Sequence, residues 1–185
     1  MNREDAGQAA TTNCWRVTGW SIAALVLLLP LAAMQVTREV DWTASDFVFA
    51  GMLIGSAGLV IELTFRRHSH RSSRMGAALL TATSLALIWI DAAVGIINDD
   101  HATLNLIYPG IVILALVVAA VGRFRTVALA RGSAGAAAML AVTGVIAVIA
   151  SDPAFAASVV AFHLTFVVAF LTAAALFHRV GAAER

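Results

Sequence analysis

Six long apolar runs separated by very short linkers constrain this chain more than any other feature. They cover residues 17–37, 44–65, 75–98, 104–122, 127–150 and 154–177. A helix of about 20 apolar residues crosses the hydrocarbon of a bilayer, and each run reaches that length or comes close to it. The runs are continuously apolar rather than alternating, and they exceed the length of barrel strands, so strands are disfavoured. In lipid the backbone must satisfy its own hydrogen bonds, which leaves the helix. The expectation is an all-α polytopic membrane protein, a bundle of six transmembrane helices forming one integral membrane domain over residues 1–185.

Composition agrees. Of 185 residues, 61% are apolar and 12% charged, where a soluble domain carries about twice that charge. The linkers leave no room for a soluble domain, so neighbouring helices should be antiparallel hairpins. The first run is longer than a signal-peptide core and follows only a weak positive cluster, and it is read as a retained helix. The single cysteine, Cys14, excludes an intrachain disulfide and a cysteine-based metal site.

The chain has twelve arginines and no lysine. Arg3 and Arg16, then Arg66, Arg67, Arg71 and Arg74, then Arg123, Arg125 and Arg131, and finally Arg179 and Arg185 fall on one side; Arg38 alone falls on the other. The positive-inside rule puts both termini in the cytoplasm, and an even number of spans requires both on one side. This predicts the inner membrane of a bacterium. The acids mirror the arginines: Asp46, Asp99, Asp100 and Asp152 form an outer acidic face with Glu39 and Asp41. Short outer loops account for it as solvated charge, and a cation-concentrating vestibule is the sharper alternative.

Ionisable groups inside apolar spans are expensive and each invites a functional reading. Glu62 shares a helix face with Gly51, Gly55 and Gly58, the first two forming a GxxxG, and its simplest partner is Arg66 at i+4. Asp91 lies about 10 Å below the outer end of the third span, on a stripe with Ser84, Gly95 and Asn98. Asn105 and Tyr108 enter the membrane beside it. His163 lies about 15 Å deep in the sixth span. The opposite chain directions bring Asp91 and His163 to similar depth, bridged directly or by Ser84, Thr165 or water. Asp91, His163, Asn98, Asn105, Tyr108 and Glu62 are therefore the candidate intramembrane polar site. The plainer reading makes His163 a carbonyl-bonded core histidine and Asp91 a loop cap.

Small residues at 157, 161, 165, 169 and 173 form a ridge for close packing within the chain, in a homo-oligomer or against another membrane protein. Haem is disfavoured because His163 has no second histidine at its depth. His68-Ser69-His70 is a weak metal pattern, better explained as a solvated segment at anionic headgroups. No HExxH, GxSxG or phosphate-binding glycine loop occurs, so no catalytic residue, cofactor or metal is assigned. The bilayer explains the arginines without nucleic acid.

Several segments resemble a family of small uncharacterised bacterial multi-span inner-membrane proteins. They are Trp42…Asp46-Phe47…Gly51…Gly55…Gly58…Glu62, then Trp89-Ile90-Asp91 through Asn98-Asp99-Asp100, Asn105-Leu106…Tyr108…Gly110, and Gly122-Arg123-Phe124-Arg125. The family carries Gly-Ser-Glu-Asp-Asn-Pro after the Ile-Ile pair, where this chain has Asn98-Asp99-Asp100-His101, and Asn where this chain has Asp91. The likeness covers about half the chain and implies a multi-span membrane protein without a stated activity. It carries no essential carboxylate over to position 91. Three function classes remain. The first is an accessory or scaffold membrane subunit, favoured by the absent catalytic signatures. The second is a proton- or cation-linked small transporter or channel. The third is an intramembrane lipid- or quinone-binding protein or enzyme.

Overall fold

The computed structural model describes residues 3–67, 69–94 and 105–183, with side chains described for 16–67, 69–93 and 105–181. The described residues form six helices and no strand: α1 (Arg3–Val36), α2 (Ala44–Arg67), α3 (Arg71–Val94), α4 (Ile107–Val121), α5 (Thr126–Ala150) and α6 (Ala156–Ala183). Five contain stretches long and apolar enough to cross a membrane: Arg16–Val36, Ala44–Arg67, Arg71–Ala93, Thr126–Ala150 and Ala156–Gly181. The fourth differs from expectation. Its apolar run extends over 104–122, but α4 has 15 residues, about 22 Å of helix. Several helices instead run past their apolar stretch. Arg66 and Arg67 complete α2, and Arg71 and Arg74 open α3. Long arginine stems can lie along a helix end while the guanidinium reaches water. The Arg131-Gly132-Ser133 segment is helical within α5 and turns Gly132 and Ser133 inward.

Contacts divide the chain into two units, Met1–Leu59 and Val60–Arg185. In the first, the sequence Trp42-Thr43-Ala44-Ser45-Asp46-Phe47 explains where α2 begins. The Thr43 backbone N–H donates to Asp46 Oδ2 at 2.7 Å, and the Thr43 hydroxyl donates to the same oxygen at 2.7 Å. The Thr43 carbonyl accepts from the N–H groups of Asp46 and Phe47. Trp42 and Phe47 meet edge to face at 5.2 Å. This is a capping box with an acid at the third helical position and a hydrophobic staple around it. Asp46, read from sequence as outer acidic charge, is thus a helix cap. Further along α2, Gly58 seats the Trp20 ring, 3.1 Å from where a Cβ would stand.

In the second unit α6 packs on α5 and α3, and α4 packs on α5. Two apolar clusters fill it. One is built around Leu87, Tyr108, Leu140 and Phe170, and the other around Ala77, Leu129, Ala173 and Phe177. Helices α4 and α5 approach closely at Gly132, where a Cβ would lie 2.9 Å from the Ala115 carbonyl oxygen. Close backbone approach at small residues is how helices associate where lipid removes the hydrophobic drive. Asp152 has a local task as well: its Oδ1 accepts the Ala154 N–H at 2.9 Å and its carbonyl accepts the Phe155 N–H, turning the chain into α6.

Helix α4 ends at Gly122, where a Cβ would collide with that of Ala128. The Arg123 N–H then bonds the Ala120 carbonyl and the Phe124 N–H the Ala119 carbonyl, a Schellman pair. Arg123 and Phe124 adopt φ of 54° and 55°, left-handed values that cost an L-residue about 1–2 kcal/mol each. Arg67 holds the turn by donating Nη1–H to the Arg123 carbonyl at 2.8 Å. That bond uses only the backbone of residue 123, so Arg123→Gly relieves the strain and keeps it. After about 0.5–1 kcal/mol for the freer unfolded glycine, a net gain of roughly 0.5–1 kcal/mol is expected. The melting temperature in detergent should rise by about 1–4 °C, and a fall would contradict the account.

Candidate functional site

Two helices of the second unit bring a buried phenol and a buried imidazole together, and a third carries an acid whose charge reaches the phenol. His163, on α6, is buried to 4% exposure, and Tyr108, at the start of α4, to 0%. The Tyr108 hydroxyl and His163 Nε2 are 3.0 Å apart. The other ring nitrogen, Nδ1, lies 2.8 Å from the Val159 carbonyl one turn earlier on α6. A carbonyl can only accept, so Nδ1 carries a proton, and in the neutral ring Nε2 is the acceptor. The tautomer follows from the partners: Tyr108 donates to Nε2.

The ring has a shaped seat. A Cβ at Gly144 of α5 would stand 2.9 Å from His163 Cγ and 3.0 Å from its Cβ and Cδ2. Glycine at that position lets the imidazole lie against the α5 backbone. Phe162 stands edge-on to it, centroid to centroid 5.4 Å. The imidazole is thus fixed by two hydrogen bonds, a glycine floor and an aromatic wall, which leaves it one orientation.

Asp91, on α3, completes the group. Its carboxylate lies within electrostatic reach of the Tyr108 hydroxyl. Its Oδ1 is buried and has no hydrogen-bond donor among the described residues. A buried acceptor without a donor is costly, typically about 1–3 kcal/mol, and calls for a proton, a water or a ligand. Tyr108 and His163 are thus bonded directly, and Asp91 couples to the phenol through charge alone, with no hydrogen bond to it among the described residues. A phenol that donates to an imidazole keeps lone pairs free on its oxygen, so it can accept a proton on one side as it gives one on the other.

The expected pairing of Asp91 with His163 thus takes a different bridge. Neither Ser84 nor Thr165 connects them; the Thr165 hydroxyl is exposed and turns back to the Ala161 carbonyl at 2.8 Å. Tyr108, the single tyrosine of the chain, bonds His163 and feels the charge of Asp91. Asn105 is partly buried one turn before it and is engaged in an interaction of its own. Glu62 is taken up by Arg66 at 2.6 Å. Asn98, Asp99, Asp100, His101, Gly95 and His68 lie outside the described residues. The small-residue ridge of α6 buries only Ala173; positions 157, 161 and 165 are exposed. Gly144 was not singled out from sequence. The available signal was a glycine inside an otherwise alanine-rich apolar run, on the helix that follows the tyrosine.

No protein-family model matches this chain, and neither does any curated protein or any solved structure.

Proposed function

We propose that this chain is an integral protein of a bacterial inner membrane, crossing the bilayer six times with both termini in the cytoplasm. In this reading it is a proton-linked small transporter or channel, with Asp91, Tyr108 and His163 as its proton path. The observation that carries the reading is the buried Tyr108–His163 hydrogen bond with the undonated Asp91 oxygen beside it. Ionisable groups at depth in a helical bundle are costly, and proton and ion pathways are among the roles that retain them. Five long apolar helices and the arginine asymmetry support the membrane setting, as does the resemblance to small bacterial inner-membrane proteins. The short α4 fits a sixth crossing if the bilayer thins locally or the flanking Arg123 and Arg125 snorkel.

The test is proton flux into liposomes holding the purified protein and an internal pH dye. Asp91→Asn keeps the shape and removes the titratable oxygen. Flux should fall at least about tenfold, the equivalent of about 1.4 kcal/mol in barrier. Glu62→Gln, a carboxylate engaged elsewhere, should stay close to wild type. Equal flux from Asp91→Asn and wild type, or none from wild type, would refute the proton path.

One observation favours a second reading, an accessory or scaffold subunit. The apolar stretch of α1, Arg16–Val36, is not buried within the first unit, whose α2 seats only part of it, which offers a face to a helix of another membrane protein. Constant co-purification with one partner, without flux from the isolated chain, would select that reading.

A further inference from the structure

The starts of α5 and the end of α6 enclose a second feature that the polar site does not use. A cleft of about 550 Å³ lies between them, walled by Val127, Ala130, Ala174 and Phe177 and edged by Arg131 and His178. It exists because the facing side chains are small: Ala130 and Ala134 on one helix, Ala174 and Gly181 on the other, leave volume that larger residues would fill. Its floor is firm, since Phe177 is fully buried and packs against Gly76 of α3. Arg131 lies five residues into α5 and His178 five residues before the end of α6, about 7.5 Å inside each terminus. Neither makes a hydrogen bond or ion pair with a described residue.

The surroundings decide the sign of what could enter. Arg123 and Arg125 precede α5, and Arg179 follows His178. Of the described carboxylates in this unit, only Glu62 belongs to the same end, and Arg66 holds it. Asp91 and Asp152 belong to the opposite ends of their helices. The cleft is therefore an apolar trough opening at an arginine-rich rim, with no counter-charge of its own among the described residues. A free anion would use the rim and leave the trough empty. An amphiphile with an anionic head uses both.

We propose that this cleft binds an anionic phospholipid, its phosphate held by Arg131 and His178 and an acyl chain lying along Val127 and the alanine walls over the Phe177 floor. Basic pockets between transmembrane helices on the cytoplasmic side take such headgroups, and a guanidinium matches a phosphate with two parallel hydrogen bonds. The inference rests on the membrane reading above but not on the proton path.

The experiment uses the full chain, first localised by fractionation and then delipidated in neutral detergent. Phosphatidylglycerol and phosphatidylcholine are titrated separately, with bound lipid counted by native mass spectrometry and melting temperature followed in parallel. Phosphatidylglycerol should be retained about fivefold or more over phosphatidylcholine and should raise the melting temperature. Arg131→Gln and His178→Gln should each erase most of that preference, while Arg38→Gln, exposed in the linker before α2 and no part of the rim, should keep it. Glycerol 3-phosphate should neither bind comparably nor displace the lipid. Equal retention of the two lipids overturns the proposal, as does undiminished preference in both cleft variants or binding of glycerol phosphate as tight as that of the lipid. If a variant fails to fold, the wild-type lipid preference and the glycerol phosphate competition still decide. A chain recovered outside the membrane fraction would instead refute the membrane reading, before any lipid is added.

Discussion

Gly144→Val is expected to destabilise the protein by about 3 kcal/mol and to break the Tyr108–His163 hydrogen bond. Two effects oppose. Glycine inside a helix costs up to about 1 kcal/mol relative to alanine, so a substitution recovers a little, and valine recovers less than alanine. Against that, the new Cβ would stand 2.9 Å from His163 Cγ and 3.0 Å from its Cβ, atoms near the root of the side chain that cannot swing aside. Forcing extra methyl groups into a packed core costs about 1–3 kcal/mol, and valine brings two beyond the Cβ. The imidazole must leave its seat, which removes its bond from Tyr108 and strands the phenol, for about 1 kcal/mol more. The clash wins. The melting temperature in detergent should drop by roughly 6–12 °C. Gly135→Val on the same helix is the control, because nothing lies within 4 Å of a Cβ there. If both valines shift the melting temperature equally, helix propensity governs and the seat is not specific.

The legible and illegible parts of this molecule divide along a physical line. The helices could be read because continuous apolar runs of about 20 residues are too long and too little alternating for strands, so run length translates into element. Their ends shift where polar residues flank the runs: α2 continues past 65 to Arg67, and α4 begins at Ile107, after Asn105, while its other end at Val121 meets the 104–122 reading to within one residue. Asp46 is exposed charge and a helix cap at once, and Trp42, Thr43, Asp46 and Phe47 carry the capping signature in order. Counting rise per residue predicts Asp91 and His163 at similar depth; the bond the structure gives His163 is to Tyr108. That partner was not legible, because helix adjacency is a tertiary fact: the packing of α4 and α6 on α5 delivers Tyr108 to the imidazole. The small-residue ridge of α6 splits: position 173 packs inside the chain while positions 157, 161 and 165 are exposed, because small residues at i, i+4 carry no signal of which partner they meet.

Removing Tyr108 altogether should cost more than its hydrogen bond can explain, and the difference separates what the ring does from what the hydroxyl does. Tyr108 is fully buried in the cluster with Leu87, Leu140 and Phe170. Tyr108→Ala leaves a cavity worth about 2–3 kcal/mol in lost packing, and it strands His163 Nε2 as well. A total near 4 kcal/mol is expected. Tyr108→Phe keeps the ring and removes only the donor. Hydrogen bonds between transmembrane helices average about 0.6 kcal/mol and reach about 1.7, so the phenylalanine variant should lose roughly 1 kcal/mol. Its flux should fall with Asp91→Asn, because the phenol oxygen is the link between carboxylate and imidazole. A double-mutant cycle fixes the assignment. In a His163→Leu background Tyr108→Phe should cost almost nothing, since the hydroxyl has lost its acceptor, whereas Tyr108→Ala should cost nearly its full packing share. If Tyr108→Phe costs the same with and without His163, the hydroxyl is coupled to another group, and the carboxylate–phenol–imidazole order does not hold.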